Sequence, residues 1–172
     1  MTNLVLIGMS GCGKTTVGRA LAEALGVVFV DMDKEIERRQ GRTIVQIFDE
    51  IGEQGFRDLE TAELLRLLNS KNFVLATGGG VVTLPRNIPV LKKLGKVVFL
   101  NRSVEAIEAT IETSTRPMLH TSGDALRRLY AERLPLYRAC ADVEVDADDD
   151  VQAVVTKITL FNREIRETRK KV

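Results

Sequence analysis

Short apolar runs alternate with longer polar and amphipathic stretches along this chain. Each of these runs is continuous, which is typical of a strand buried on both faces of a parallel sheet. Four such runs are present: Leu4–Ile7, Val27–Val30, Phe73–Ala76 and Val97–Leu100. A shorter run, Val143–Val145, is expected to form a fifth strand at an edge of the sheet.

Between the runs, apolar side chains recur every three or four positions, which is the spacing of one buried helix face. The first helix is expected to end at Gly26, since glycine readily forms a helix C-cap. Another helix begins near Ser103, and the last begins near Asp150, with the acidic stretch Asp146–Asp150 as its N-terminal cap. Alternating strands and helices predict an α/β fold with a parallel sheet, in which ligands bind outside the carboxyl ends of the strands.

The chain has 172 residues, of which 44% are hydrophobic and 28% charged, and this fits one globular domain over residues 1–172. Its 25 basic and 24 acidic residues give a net charge of +1, so no nucleic-acid or membrane partner is expected. No apolar run approaches the roughly 20 residues of a membrane span, and no charged leader precedes the first strand. We therefore expect a soluble, cytoplasmic monomer whose cysteines, Cys12 and Cys140, are reduced thiols.

The segment Gly8–Thr15 lies between the first strand and the first helix and matches G-x-x-x-x-G-K-[ST], the phosphate-binding P-loop. Its glycines let backbone N–H groups approach phosphate oxygens, and the helix dipole favours the same anion. We expect Lys14 to neutralise the β- and γ-phosphates and the Thr15 hydroxyl to ligate Mg²⁺. The sequence therefore predicts an ATP or GTP site, formed by Gly11, Cys12, Gly13, Lys14, Thr15 and Thr16.

Two aspartates, Asp31 and Asp33, follow the second strand. Asp31 is placed to hold Mg²⁺, because this cation prefers hard oxygen ligands. Asp33 could accept a proton from a hydroxyl group that attacks the γ-phosphate. Either aspartate could instead be a helix N-cap.

The third strand is followed by Gly78, Gly79 and Gly80, where a ligand can lie directly against the main chain. An ordinary loop is the alternative. Arg57 and Glu60 lie one helical turn apart upstream. They form either a modest surface ion pair or a buried carboxylate that holds a guanidinium ready for a planar anion, and the sequence leaves both open.

A polar stretch between two predicted helices contains Arg116 and runs on to Gly123. A kinase needs a lid that excludes water, and Arg116 would supply positive charge to the transferring phosphoryl group. An ordinary loop that carries an arginine is the alternative. The one histidine, His120, has no partner cluster in the sequence, so a zinc site is not supported.

Taken together, these residues resemble the shikimate kinases, small P-loop kinases related to the nucleoside monophosphate kinases. The resemblance covers essentially the whole chain. It implies a three-layer fold with a central five-stranded parallel sheet of order 2-3-1-4-5, helices on both faces and a lid near residues 110–123. It rests on six segments: Gly8–Thr15, Asp31–Asp33, Phe56–Glu60, Gly78–Gly80, Arg116–Leu119 and Glu132–Tyr137.

By this resemblance, the chain would transfer the γ-phosphoryl group of ATP to the 3-hydroxyl of shikimate, with Lys14, Asp33 and Arg116 as catalytic residues. Asp33 would hold the substrate hydroxyls and act as base. Arg57 and Arg133 would bind the substrate carboxylate, with Glu60 bracing Arg57. The backbone of Gly78, Gly79 and Gly80 would contact the substrate ring.

The chain departs from the family pattern at one point that concerns the nucleotide. Many members carry an arginine that packs on adenine seven residues before the lid arginine, whereas this chain has Ala109 there, beside Glu108. The resemblance therefore assigns no adenine-stacking residue. Two alternatives to shikimate phosphorylation are a kinase for another small acceptor, such as gluconate or a nucleoside monophosphate, and a non-catalytic ATP-binding switch.

Overall fold

The structure, a computed structural model, describes residues 3–112 and 123–170, with side chains for residues 3–110 and 124–163. Its strands are β1 (Leu4–Ile7), β2 (Val28–Asp31), β3 (Phe73–Ala76), β4 (Lys96–Asn101) and β5 (Val143–Asp146). Its helices are α1 (Lys14–Leu25), α2 (Met32–Gln40), α3 (Ile44–Leu67), α4 (Asn87–Leu94), α5 (Val104–Glu112), α6 (Gly123–Cys140) and α7 (Val151–Lys170). A short 3₁₀ turn, Val81–Thr83, follows β3.

The strands form one parallel sheet of order β2-β3-β1-β4-β5. β1 lies at its centre, with Val5 opposite Leu75 on one side and Val97 on the other. All residues of β1 and β3 are buried, since helices flank the sheet and cover its apolar faces. The predicted α/β fold, the parallel sheet and the order 2-3-1-4-5 are confirmed.

The strands differ from the predicted ones mainly at their ends. β2 begins one residue later than predicted and ends, as predicted, at Asp31, which pairs with Ala76. β4 and β5 extend to Asn101 and Asp146, which pair with each other. The backbone ladder continues past the apolar residues because its hydrogen bonds do not require apolar side chains. As a result, polar side chains stand at the carboxyl ends of the strands.

Two predicted helix boundaries are confirmed. Gly26 caps α1 with a left-handed backbone (φ 64°) and donates its N–H to the carbonyl groups at the end of the helix. Before α7, the predicted acidic cap is Asp150 alone, whose Oδ1 accepts from the N–H groups of Gln152 and Ala153 at 2.9 and 3.1 Å. Asp146 belongs to β5 instead.

Helix α3 is kinked at Gly52, whose backbone is not helical (φ 68°, ψ −178°). Its first part starts from a capping box, in which Thr43 and Gln46 satisfy each other's backbone N–H groups. Its second part carries Arg57 and Glu60. The kink therefore gives this second part a direction of its own across the carboxyl end of the sheet.

The predicted lid falls mostly outside the described residues, and so do Arg116 and His120. At its approximate limits, residues 110–112 belong to α5 and Gly123 belongs to α6. Among the helices that the structure describes, none is long and apolar enough to cross a membrane.

Candidate active site

The phosphate loop follows β1 and has the backbone conformation that its glycines allow. Gly8, Gly11 and Gly13 all have positive φ angles, of 146°, 82° and 96°. At Gly8 space is limiting as well, since a Cβ atom there would lie 2.6 Å from the carbonyl oxygen of Leu100 in β4. A side chain at these positions would strain the loop, so the glycines are needed for its shape.

Lys14, the first residue of α1, lies folded over the loop. Its Nζ donates hydrogen bonds to the carbonyl oxygens of Gly8 and Met9, both at 2.8 Å, and lies 3.8 Å from Sγ of Cys12. The Lys14 side chain is buried, so these carbonyl groups compensate part of the desolvation of its charge. The ammonium group is thereby held where phosphate oxygens would replace or join the carbonyl ligands.

Thr15 and Asp31 lie side by side at the mouth of the loop. The Thr15 hydroxyl donates to Oδ2 of Asp31 at 2.9 Å, while Oδ1 of Asp31 accepts from the N–H of Lys34 at 3.3 Å. Asp31 is thus both the N-cap of α2 and a partner of the phosphate loop. A hydroxyl beside a carboxylate is a donor set of hard oxygens that fits Mg²⁺. Thr16 follows as an exposed residue in the first turn of α1.

Beside this loop, the glycine run Gly78–Gly80 lies in close contact with charged side chains. A Cβ atom on Gly78 would overlap Oε1 of Glu60 and lie 3.3 Å from Oδ1 of Asp33. A Cβ atom on Gly80 would overlap the guanidinium of Arg57. The glycines are therefore required because side chains from α2 and α3 approach the main chain directly.

The Arg57–Glu60 pair is buried. Arg57 Nη1 lies 2.7 Å from Oε2 of Glu60, whose side chain is 0% exposed, and Arg57 Nη2 lies 3.1 Å from Oε1 of Glu53. A modest surface ion pair, one of the two interpretations that the sequence left open, is therefore excluded. Glu60 and Glu53 therefore hold the two terminal nitrogens of the guanidinium, while Arg57 Nε is buried without a hydrogen-bond partner among the described residues.

Burial raises the pKa of Glu60 above its ordinary value of 4.5, although Arg57 opposes this shift. The charge of Asp33 raises the pKa of Glu60 further. Burial by itself would lower the pKa of Arg57, but its carboxylate neighbours Glu60 and Glu53 raise it overall. The arginine is therefore a fixed cation, while the carboxyl group of Glu60 is the titratable member of the pair.

Arg133 reaches the same place from α6. Its Nη1 would lie 3.6 Å from a Cβ atom on Gly79, and the same Cβ atom would lie 2.8 Å from Oγ of Ser10 in the phosphate loop. Arg133 also lowers the pKa of Glu60 through its charge, so the two side chains lie near each other. The structure thus brings Asp33, Arg57 and Arg133 together around the glycine run, next to the phosphate loop.

Three residues at this site have no role in the sequence-based prediction. Ser10 is the point where the phosphate loop meets the glycine run. Arg102, directly after β4, donates from Nη1 to the carbonyl oxygen of Gly11 at 3.4 Å. Tyr137 donates its hydroxyl to the carbonyl oxygen of Gly79 at 2.6 Å. Ser10 lies within the phosphate-binding motif and Tyr137 ends the segment Glu132–Tyr137, but the contacts that these residues and Arg102 make depend on the fold.

Other predicted features can be placed only in part. Arg116, expected over the phosphates, lies outside the described residues. Cys12 and Cys140 are free thiols, as predicted, and both are buried. Across residues 3–112 and 123–170, no three His, Cys, Asp or Glu side chains cluster as a metal site would require.

Comparison with known proteins gives a consistent family. The family model described as shikimate kinase matches residues 10–162. A shikimate kinase from Thioalkalivibrio sulfidiphilus is 44% identical over 166 residues, covering 94% of this chain and 87% of that protein.

The solved structures agree with this. The shikimate kinase from Acinetobacter baumannii in complex with shikimate is 42% identical with a TM-score of 0.88, over 95% of this chain and 94% of that one. A gluconokinase from Sinorhizobium meliloti reaches a TM-score of 0.67 at 18% identity, over 98% of this chain and 95% of that one, and this likeness concerns the fold alone. On the family match and these identities, the chain belongs to the shikimate kinase family.

Proposed function

We propose that this protein transfers the γ-phosphoryl group of ATP to the 3-hydroxyl of shikimate, giving shikimate 3-phosphate and ADP. The observation that carries this proposal is the pocket beside the phosphate loop. There, the carboxylates of Asp33 and Glu60 and two arginines surround a glycine run that itself approaches Ser10 of the loop. A small polyol with a carboxylate needs this combination of groups, because its hydroxyls require a carboxylate that accepts their hydrogen bonds and its acid group requires arginines that donate to it.

The phosphates of ATP would lie in the loop, against the backbone N–H groups of Gly11, Cys12 and Gly13. Lys14 neutralises their charge from its buried position at the start of α1. Thr15 and Asp31 are the residues that would hold Mg²⁺, which when bound offsets negative charge on the phosphate oxygens. Thr16 and Arg116 remain sequence-based predictions for the same phosphates.

The acceptor would lie against Gly78–Gly80 with its carboxylate between Arg57 and Arg133. Glu60 and Glu53 hold Arg57 in one orientation, so little side-chain entropy is lost when the carboxylate binds. Asp33 lies in the first turn of α2, and its Oδ1 would be 3.3 Å from a Cβ atom on Gly78, so it would face an acceptor bound against the glycine run. This arrangement orients the acceptor hydroxyl toward the γ-phosphate.

In the chemical step, Asp33 takes the proton of the acceptor hydroxyl while the hydroxyl oxygen forms a bond to the γ-phosphorus. The bond between the γ-phosphorus and the bridging oxygen breaks, and ADP leaves with that oxygen and its electron pair. Lys14 stabilises the charge on the transferring group and on the departing phosphate.

A coupled assay of ADP release tests the proposal. The purified enzyme receives MgATP with shikimate, gluconate, a nucleoside monophosphate or no acceptor. We expect turnover with shikimate alone, and loss of it when a chelator removes divalent cations. Turnover with gluconate or the nucleotide instead of shikimate would overturn the acceptor assignment, and equal ADP release without any acceptor would indicate an ATPase or a switch module.

A further inference from the structure

Tyr137 lies at the centre of the site but belongs to neither of the two loops. It is fully buried, at 0% exposure, and its ring stacks on Phe99 of β4 with ring centroids 5.0 Å apart. The ring is therefore fixed on the sheet from α6. A side chain fixed in this way can hold another group in a defined position.

The Tyr137 hydroxyl contacts both loops of the site. It donates to the carbonyl oxygen of Gly79 at 2.6 Å and lies 3.6 Å from Sδ of Met9 in the phosphate loop. A buried hydroxyl without a partner is costly, so its hydrogen bond to Gly79 is strongly favoured. The contact thus ties the orientation of one peptide group to the sheet.

The orientation of this peptide group determines where its N–H points. The peptide bonds of the described chain are trans, so the N–H of Gly80 points opposite to the carbonyl of Gly79. With the carbonyl directed at Tyr137, the N–H of Gly80 is directed away from α6. A Cβ atom on Gly80 would overlap the guanidinium of Arg57, so Gly80 itself borders the acceptor pocket.

Arg133 is a second link between Tyr137 and the acceptor pocket, besides the hydrogen bond to Gly79. It lies one helical turn before Tyr137 on α6, and its guanidinium approaches Gly79. Burial raises the pKa of Tyr137, while the charge of Arg133 and a hydrogen bond with it lower it. The hydroxyl therefore stays protonated and remains a donor to Gly79 throughout the working pH range.

We propose that Tyr137 is a positioning residue for the acceptor: its hydroxyl orients the Gly79–Gly80 peptide group so that the Gly80 N–H and Arg133 face the bound substrate. The proposal rests on the proposed function for the identity of that substrate. Tyr137 itself touches neither substrate, and it acts through Gly79.

The test compares Tyr137→Phe with the matched variant Tyr130→Phe. Tyr130 lies on the same helix, but its hydroxyl donates to Oδ1 of Asn101 at 2.7 Å, away from the glycine run. We expect Tyr137→Phe to raise the KM for shikimate about five-fold, with kcat and the KM for ATP nearly unchanged, because one hydrogen bond that orients a binding group is lost. Tyr130→Phe is expected to leave the KM for shikimate unchanged.

An unchanged KM for shikimate in Tyr137→Phe, or an equal rise in the KM for ATP, would overturn the positioning role. Wild-type turnover of another acceptor but not of shikimate would instead overturn the proposed function. In that case the same comparison is made with the acceptor that the enzyme uses, so the two failures remain distinct.

A spectroscopic measurement covers the case in which Tyr137→Phe does not fold. The chain has no tryptophan and two tyrosines, so the Tyr130→Phe protein contains Tyr137 as its single tyrosine. We expect shikimate to change the emission of this tyrosine, with half of the change near the KM, since the acceptor binds on the other side of the same peptide group. An emission that does not respond to saturating shikimate would contradict the proposal.

Discussion

The phosphate loop and the acceptor pocket are both expected to bind an anion, but they are built in different ways. The loop is one continuous segment, Gly8–Thr15, and its cation Lys14 bonds to carbonyl oxygens six and five residues earlier. The pocket is assembled from α2, α3, the glycine run and α6. The loop depends on local backbone conformation, whereas the pocket depends on the packing of the whole fold.

The two regions also differ in how they stabilise their cations. Lys14 is partnered by neutral carbonyl groups, so its charge is left for the phosphates. Arg57 is held by the carboxylates of Glu60 and Glu53, which fix its orientation but neutralise part of its charge. The phosphate loop therefore provides a positive charge that is left for the phosphates, whereas the acceptor pocket provides an arginine in a fixed orientation. Substitutions in the two regions should separate nucleotide binding from acceptor binding.

The largest effect is expected where the two regions meet, at Asp33. Asp33→Asn should lower kcat by about 1,000-fold, because the amide cannot accept the proton of the acceptor hydroxyl. ATP should still bind, since the loop is untouched, and calorimetric titration with a non-hydrolysable ATP analogue measures this. Asp49→Asn, at an exposed acid of α3, is the control. A wild-type kcat in Asp33→Asn would remove this residue from the chemical step.

Within the pocket alone, Arg57→Lys should raise the KM for shikimate about 30-fold with little change in kcat. The lysine keeps the charge but loses the planar pair of donors, and the carboxylate partner is present in both ground state and transition state. Initial rates at varied shikimate and fixed ATP measure it, with Arg86→Lys as a surface control on the exposed pair with Asp58. A fall in kcat alone would contradict the binding role.

Two glycine substitutions should separate the effect on the KM for ATP from the effect on the KM for shikimate. Gly13→Ala has free space but a positive φ of 96°, so we expect backbone strain and an approximately ten-fold higher KM for ATP. Gly80→Ala has an allowed φ of −93°, but its methyl group would displace Arg57, so we expect a similar rise in the KM for shikimate. Both constants are measured for both variants. Equal changes in both constants would mean that the two loops act as one unit.

The smallest effect concerns stability and the pKa of Glu60. Because burial raises this pKa in the folded state, the folded protein binds the proton more tightly than the unfolded chain does. The wild-type protein should therefore lose stability relative to Glu60→Gln as pH rises from below the ordinary pKa of 4.5 through the raised pKa of the folded state. Urea unfolding of both proteins across this range measures the difference. A difference of opposite sign would show that Arg57 outweighs burial.

Local sequence predicts most of the strands of the fold and, within the site, the phosphate loop. The runs Leu4–Ile7 and Phe73–Ala76 match β1 and β3 at both ends, since strands buried on both faces must be continuously apolar. The phosphate loop is equally local, because its glycines and Lys14 act within one turn of backbone. The role of Arg133, by contrast, came from a resemblance alone, whereas Asp33 was already a candidate base from its position after the second strand.

Tertiary structure alone decided the remaining features. The spacing of Arg57 and Glu60 fits a surface pair as well as a buried one, and only the packing of α3 over the glycine run buries it. Asp31 is the N-cap of α2 and also accepts a hydrogen bond from Thr15. No local pattern in the sequence shows which of these contacts an aspartate at this position makes. Tyr137 reaches Gly79 across 58 positions of sequence. Local sequence specifies backbone conformation, but which side chains meet at a strand end depends on how distant segments pack.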